Sequence, residues 1–358
     1  MDPDFRPDLD INPLTHGCSL EDLSPEEYLI ERLRLLDKHF YRHHKHDRST
    51  RDLEGLSDKE LIEHFIKRGP LEKRVYNRQL LEFLDWDYYI KIHPDLDLKG
   101  ESDAIHHWLY HGVFQGKAPN NITSRLLEAD IHLFQMGKVG SKSLQYSIGL
   151  TEPRATIPHL HFAQEMLISY PGCYYSYPEI IRFSKKRIRF LAGVREPVSR
   201  VVSGWLEASI SPYSSMSTSH LMQLLECNTK SSQAILKDSC HILEWFKHQF
   251  YSDIDVYSQP FDKEKGYSII NGPRHSVLVY RIDKLSGLWG IISNYIGIGL
   301  HPASINKSHD KGEPEARVLE RFARFKLTQD VLHKILESRY INHFFDADDK
   351  DIFLRRYA

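Results

Sequence analysis

The stretch "IHLFQMGKVGSKSLQYSIG", Ile131–Gly149, carries more information about the fold than any other part of the sequence. Its first half is an apolar run that suits a buried strand, and its second half has the spacing of a helix. Between them, Gly137–Ser143 contains two glycines, two lysines and two serines. A strand that turns directly into a helix leaves the first helical amides without acceptors, at the positive end of the helix dipole. The stretch therefore predicts an anion cradle at the start of a helix.

This cradle differs from the common nucleotide-phosphate loop. The pattern G-x-x-x-x-G-K-[ST] needs a glycine directly before its lysine, whereas Ser141 precedes Lys142 here. We predict that the helix begins near Ser141, that this serine caps it, and that the amides of Gly140 to Ser143 remain available to a phosphate or sulfate group. The alternative is an ordinary strand–turn–helix connection with surface lysines.

From Asp130 onward, short apolar runs alternate with helical segments. The predicted strands are "DIHLFQM", "RATIPHLHF", "KRIRFLAGV" and "HSVLVYR". Alternation of this kind predicts an α/β domain, residues 130–358, in which a P-loop-like parallel sheet is flanked by helices. The tail from Glu313 to the C-terminus has mostly helical periodicity.

The first 120 residues have a different sequence pattern, because they contain an internal repeat. Two copies, about 36–77 and 84–120, align at matched positions: Asp37 with Asp85, Tyr41 with Tyr89, His64 with His107, Gly69 with Gly112 and Asn77 with Asn120. A shorter stretch at 7–17 suggests a partial third copy. Each copy has the pattern of two short helices that end at a glycine, so the copies should pack on each other in an all-α repeat domain, residues 1–120. Residues 121–129 are the predicted linker.

Composition excludes several classes of protein. The formal net charge is −2 over 358 residues, so no global field would draw the chain to nucleic acid or to a membrane. The four cysteines form no C-x-x-C pair, and no set of histidines completes a ligand pattern, so no metal is expected. The N-terminus lacks the features of a signal peptide, and no apolar run is long enough for a membrane span. These observations predict a cytoplasmic protein.

A second motif follows in "FLAGVREPVSRVVSGWLE", Phe190–Glu207. A predicted strand ends at Val194, so Arg195 lies at its carboxyl end, where ligands of such sheets bind. Ser203 follows on the next helix, and the two side chains can converge on a second phosphate. The alternative for Arg195 is a surface ion pair with Glu196 or Glu207.

The pair "KVGSKSL" and "VREPVSRVVSG" resembles the two cofactor motifs of sulfotransferases that use 3′-phosphoadenosine 5′-phosphosulfate (PAPS), most closely their carbohydrate and capsular-polysaccharide branches. The resemblance implies that the first motif holds the 5′-phosphosulfate through Lys138, Val139, Gly140, Ser141, Lys142, Ser143 and Leu144. It implies that Arg195 and Ser203 hold the 3′-phosphate. Lys142 stands where the family usually has threonine, and Glu196 where it often has aspartate.

The resemblance also implies a catalytic chemistry. In "IPHLHFAQE" the alternation of a strand puts His159 and His161 on one face, and His161 matches the general base of the family better than His159 does. Lys138 would neutralise the leaving oxygen, and Lys311 would close over the cofactor from a late basic loop. The implied reaction is metal-independent, in-line sulfuryl transfer to a carbohydrate hydroxyl. Both histidines can also be read as structural residues.

The repeats resemble short units found beside bacterial polysaccharide glycosyltransferases, which implies polysaccharide-biosynthesis partners or self-association through them. Two other functions stay open. One is a P-loop kinase for a small metabolite, and the other is a non-catalytic carbohydrate-recruiting protein whose working part is the repeats. Four aromatic residues are candidates for stacking on a sugar, or else core residues: Trp205, Tyr213, Tyr267 and Trp289.

Overall fold

The computed structural model describes residues 25–44, 53–210, 217–226, 228–248, 250, 253–303 and 313–358. The chain divides into two compact units. Unit 1 is Met1–Ser124 with Gly172–Tyr174, and unit 2 is Arg125–Pro171 with Tyr175–Ala358. Within the described ranges, no helix combines the length and the apolar character that a membrane crossing requires.

Short helices make up the described part of unit 1. Their bounds are α1 Pro25–Arg34, α2 Lys38–His43, α3 Asp58–Lys67, α4 Arg78–Glu82, α5 Trp86–Ile92, α6 Glu101–His107 and α7 Asn121–Leu127, with a π-helical segment at Trp108–Gly112. Helix α7 occupies most of the segment predicted as a linker. It forms there because the side chain of Asn120 accepts a hydrogen bond from the amide of Thr123 and so satisfies a first-turn donor.

Positions that align between residues 36–77 and 84–120 make matching contacts. Tyr41 Oη lies 3.0 Å from His64 Nδ1, and Tyr89 Oη lies 2.8 Å from His107 Nδ1. These histidines therefore hold a tyrosine in place inside the unit. The partial copy at 7–17 lies outside the described residues.

The glycine and the asparagine of each copy are matched as well. A Cβ on Gly69 would lie 2.8 Å from the hydroxyl of Tyr41, and a Cβ on Gly112 would meet that of Tyr89, so glycine is the residue that fits. The aligned asparagines each donate to a main-chain carbonyl, Asn77 to Leu35 and Asn120 to Phe83.

Unit 2 is built on a five-stranded sheet in the order β2-β1-β3-β5-β4. The strands are β1 Ile131–Phe134, β2 His159–Leu160, β3 Arg189–Val194, β4 Tyr267–Asn271 and β5 Ser276–Arg281. The β1–β2, β1–β3 and β3–β5 pairs are parallel, as the alternation of strands and helices predicts. The edge strand β4 is antiparallel to β5, so the sheet is mixed rather than wholly parallel. Strand β4 was not predicted, because only one of its five side chains is buried.

Helices follow most of the strands in unit 2. They are α8 Ser141–Thr151, α9 Met166–Ser169, α10 Tyr177–Phe183, α11 Pro197–Ile210, α12 Thr218–Glu226, α13 Asn228–Leu243, α14 Trp245–His248, α15 Leu285–Ile296, α16 Glu313–Ala323, α17 Gln329–Leu336, α18 Arg339–Phe344 and α19 Ala347–Tyr357. The C-terminal region is helical, as predicted from Glu313 onward.

One core cluster joins α8 and α15 to the sheet. Leu144 and Ile148 of α8 belong to it, together with one leucine from each of the three central strands: Leu133, Leu191 and Leu278. All five side chains are buried. Trp289 of α15 belongs to the same cluster, so this candidate for sugar stacking is a core residue. The core fixes the start of α8 relative to the carboxyl ends of the strands, which is where the candidate site lies.

Candidate functional site

The loop between β1 and α8 has an unusual backbone. Lys138 has φ 69° and Gly140 has φ 85°, both in the left-handed region. A lysine is uncommon in that region, and such residues often occur at binding sites. Gly140 meets a further restriction, because a Cβ there would lie 2.5 Å from Cδ1 of Ile282. The loop therefore requires glycine at position 140 for both conformation and space.

The start of α8 lacks a side-chain cap. Gly140, not Ser141 as predicted, is the cap residue, and a glycine has no side chain with which to accept a hydrogen bond. The amide of Ser143 donates to the Gly140 carbonyl at 3.1 Å, so it is not one of the available donors, contrary to the prediction. In the described part of the chain, the amides of Gly140, Ser141 and Lys142 donate to no acceptor. These three N–H groups form the cradle.

A network of buried hydrogen bonds holds the β1–α8 loop against the ends of the strands. The Oε1 atom of Gln135 accepts from the Gly193 amide at 2.6 Å and from the Tyr280 hydroxyl at 2.9 Å. The same hydroxyl lies 3.1 Å from the Val139 carbonyl. The network joins the ends of β1, β3 and β5 to the loop. Val139 and Leu144 are fully buried, so their side chains serve packing and only their main chains are available to a ligand.

Arg195 contacts the β1–α8 loop, as its place at the end of β3 predicts. Its Nη1 donates to the Lys138 carbonyl at 3.0 Å, and burial lowers its pKa. Among the described residues Arg195 has no ion pair with either predicted acid. The carboxylate of Glu196 instead caps α11, accepting from the amides of Val198 at 2.7 Å and Ser199 at 2.8 Å.

One face of α11 is directed at the loop. Arg200, Ser203 and Glu207 are spaced three and four residues apart, so they share a helix face. The Nε of Arg200 donates to the Gly137 carbonyl at 3.1 Å, and the carboxylate of Glu207 reaches the loop lysines. Ser203, between them in sequence and half-buried, therefore lies on the face that contacts the loop.

Glu207 bridges the two lysines of the first motif. Its carboxylate oxygens lie 2.9 Å from Lys138 Nζ and 3.0 Å from Lys142 Nζ. Burial by itself would raise the pKa of Glu207, but hydrogen bonds from both lysines lower it to about 2. At neutral pH an ionised carboxylate thus lies between the two cations. The sequence analysis missed this role of Glu207, although the helical spacing from Arg200 through Ser203 was visible.

His161 lies beside the loop in a defined orientation. Its Nδ1 is 2.9 Å from the Gln135 carbonyl, which can only accept a hydrogen bond. The neutral ring therefore carries its proton on Nδ1, and Nε2 keeps a lone pair. The main chain of the residue is held on both sides, by Glu165, which accepts from its amide at 2.6 Å, and by Trp245, which donates to its carbonyl at 2.9 Å. A Cβ built on Gly137 would lie 3.5 Å from Cδ2 of His161, which shows how close the ring is to the loop.

His159 lies beside His161 but in a different environment. Its ring centre lies 4.9 Å from that of His161, and its Nδ1 is 3.2 Å from Gln145 Oε1. Burial, with the nearby His161 and Lys142, lowers the pKa of His159 to about 4. His159 therefore stays neutral at physiological pH, and its contact is with helix α8 rather than with the loop.

Lys311, predicted to close over a cofactor, lies outside the described residues. Within the described ranges no group of three or more histidine, cysteine, aspartate or glutamate side chains is arranged to hold a metal ion.

Comparison with known proteins identifies no relative. No protein-family model matches the chain, and no curated protein and no solved structure matches it significantly. Its function has to be argued from the site.

Proposed function

We propose that this chain transfers a sulfuryl group from PAPS to a hydroxyl group of a carbohydrate acceptor. One observation carries the proposal. The β1–α8 loop, with free amides and the Lys138 side chain, lies next to a histidine whose Nε2 has a lone pair, and Arg195 supports that loop from the end of the neighbouring strand. A base beside an anion cradle suits the transfer of an anionic group to a hydroxyl.

The residues present fit the anionic groups of PAPS. The amides of Gly140, Ser141 and Lys142 and the hydroxyl of Ser143 suit the 5′-phosphosulfate at this P-loop-like turn. Arg195 and Ser203 suit the 3′-phosphate, since a guanidinium and a hydroxyl both donate to phosphate oxygens. When bound, PAPS supplies an activated sulfuryl group.

Two side chains would act in the chemical step. The Nε2 of His161 accepts the proton of the acceptor hydroxyl as that oxygen becomes a nucleophile. The ammonium group of Lys138 stabilises the negative charge that develops on the leaving oxygen. The peptide carbonyl of Gln135 keeps the Nδ1 proton of His161 in place, so the ring presents the correct nitrogen.

The first unit is proposed to be a pair of repeats that recruits a partner of polysaccharide biosynthesis or a second copy of the chain. The matched Tyr41–His64 and Tyr89–His107 contacts support the alignment of the two copies.

The cofactor assignment is tested by calorimetry in EDTA. We expect the product 3′-phosphoadenosine 5′-phosphate to bind at least about tenfold more tightly than adenosine 5′-phosphate, because charged hydrogen bonds to the extra phosphate contribute about 1.5–3 kcal/mol. ATP, measured once in EDTA and once with magnesium in buffer free of EDTA, serves as the comparison for the kinase alternative. Equal affinity for the two adenosine phosphates would exclude the PAPS assignment, and magnesium-dependent ATP binding would favour a kinase.

Glu207 provides a second prediction, since its carboxylate competes with any anion for Lys138 and Lys142. We expect Glu207→Gln to tighten binding of 3′-phosphoadenosine 5′-phosphate by about two- to fivefold, the modest size of a partly exposed ion pair. Glu320→Gln, which removes one negative charge from an exposed pair with Arg324, is the matched control. Weaker binding by the Glu207 variant would mean that the carboxylate positions the lysines for the anion rather than competing with it.

A further inference from the structure

A cleft of about 430 Å³ opens beside the loop, between α11 and α13. The lining residues that matter for its chemistry are Met136, Phe162, Arg200, Trp205, Asp238 and Trp245. Met136 and Phe162 are the chain neighbours of Gly137 and His161, and the indole N–H of Trp245 donates to the His161 carbonyl. A molecule in the cleft is therefore adjacent to both the loop and the candidate base.

The walls of the cleft are apolar with a few oriented polar groups. The indole N–H of Trp205 donates to Asp238 Oδ2 at 2.7 Å, and that of Trp245 is also engaged, so both tryptophans turn their polar edge to the protein. The other carboxylate oxygen of Asp238 makes no hydrogen bond with a described residue, so it can accept one from a ligand hydroxyl. Apolar rings with a few oriented hydrogen-bonding groups suit a sugar ring.

Arg200 is the cation of this cleft, and its terminal nitrogens are uncommitted within the described structure. Only Nε forms a hydrogen bond there, with the Gly137 carbonyl at 3.1 Å, and no described carboxylate forms an ion pair with the guanidinium. Two carboxylates, Asp238 and Glu207, favour the charged form of Arg200 electrostatically, but neither forms a direct ion pair with it, because Asp238 accepts from the Trp205 indole and Glu207 is bound to Lys138 and Lys142.

Burial makes this arrangement unfavourable in the absence of a ligand. Desolvation lowers the pKa of Arg200, and the charges of Asp238 and Glu207 act in the opposite direction without cancelling the effect of burial. An anion placed on the two terminal nitrogens would offset the effect of burial, and a carboxylate matches their planar fork with two parallel hydrogen bonds.

We propose that the α11–α13 cleft binds the acceptor, and that the acceptor is a sugar bearing a carboxylate, which pairs with Arg200. Asp238 accepts a hydrogen bond from a ring hydroxyl, and the tryptophan walls cover the apolar surface of the ring. This inference rests on the proposed function, since it places the sugar hydroxyl next to His161. Arg200 is then the residue that determines specificity for acidic acceptors.

A matched pair of probes tests the proposal. Methyl β-D-glucuronide and methyl β-D-glucoside differ only in the carboxylate, and their affinities can be measured by saturation-transfer NMR on the full chain with 3′-phosphoadenosine 5′-phosphate present. We expect the glucuronide to bind about tenfold more tightly or better, as a charged hydrogen-bonded pair predicts. Arg200→Gln should remove this preference, and Arg324→Gln, a charge change at an exposed pair, should leave it intact.

The controls keep the result interpretable. Thermal melting checks that Arg200→Gln is folded. If that variant does not fold, Arg200→Lys replaces it; this variant retains the charge without the planar fork and should keep part of the preference for the glucuronide. Equal binding of the two glycosides by the unmodified chain, or binding of neither, would overturn the inference. Loss of affinity for both glycosides alike in Arg200→Gln would also overturn it, because Arg200 would then only shape the cleft.

Calorimetry on the same samples separates this inference from the proposed function. If 3′-phosphoadenosine 5′-phosphate binds and the protein binds the two glycosides equally, only the assignment of an acidic acceptor is wrong. If the glucuronide is preferred and the nucleotide does not bind, the cleft is an acidic-sugar site in a protein that is not a PAPS enzyme.

Discussion

Replacing His161 by alanine is expected to reduce sulfuryl transfer by about 10²–10⁴-fold, the usual contribution of a positioned general base. The Nε2 lone pair would be lost, while the amides of Gly140, Ser141 and Lys142 and the guanidinium of Arg195 would be untouched. The rate should be followed as transfer of labelled sulfuryl groups from PAPS to unsulfated acidic oligosaccharides. Affinity for 3′-phosphoadenosine 5′-phosphate should not change, because His161 contacts the Gln135 carbonyl rather than the cradle.

His159→Ala is the matched control, because the two rings are neighbours, His159 in β2 and His161 directly after it. Its contact is with Gln145 of α8, so its loss should change the rate by less than about tenfold. A fully active His161→Ala variant would exclude His161 as the base. A His159→Ala variant as slow as His161→Ala would mean that the pair acts as a unit.

Arg281→Met is expected to lower the free energy of unfolding by about 3 kcal/mol, the lower end of the usual cost of breaking a buried ion pair, because the Asp349 carboxylate is largely buried whereas that of Asp283 is half exposed. Arg281 is 3% exposed at the end of β5. Its guanidinium lies 2.5 Å from a carboxylate oxygen of Asp349 and 2.6 Å from one of Asp283, and it stacks on the ring of Phe345. Methionine would keep much of the packing but leave both carboxylates without their cation.

Urea denaturation followed by circular dichroism measures this effect. Arg324→Met is the surface control, because its pair with Glu320 is exposed and should contribute less than about 1 kcal/mol. Adding Asp349→Asn to Arg281→Met should recover part of the loss, since the unpaired charge is then removed. An Arg281→Met variant with unchanged stability would show that burial has not made this ion pair important for the fold.

The strand–turn–helix at the centre of the site was predictable because its cause is local. Apolar residues in the run before Gly137 and helical spacing after Ser141 specify β1 and α8 without reference to the rest of the chain. The position of Arg195 at a strand end was predictable for the same reason. The cap residue of α8 was not predictable, because Ser141 is the better cap by residue type. In the structure Gly140 is the cap, at a position where Ile282 leaves no room for a side chain.

Strand β4 shows a second limit of local patterns. It lies at the edge of the sheet with most of its side chains partly exposed, so its sequence lacks the apolar run of the central strands. Its place depends on hydrogen bonds to β5, such as the pairing of Ile269 with Leu278. A half-exposed strand is specified mainly by the strand it pairs with.

The amino-acid sequence by itself determined that β1 runs into α8 near Ser141 and that Arg195 lies at the end of β3. Those features follow from periodicity and backbone preference over a few neighbouring residues. The strand predicted over 154–162, by contrast, is only His159–Leu160, so His161 lies after it. Only the tertiary structure decided that Glu207 bridges Lys138 and Lys142, and that Arg200 enters a cleft without a direct ion pair to a described carboxylate. The pairing of charges depends on which helix face meets which loop, and packing of the whole core sets that arrangement.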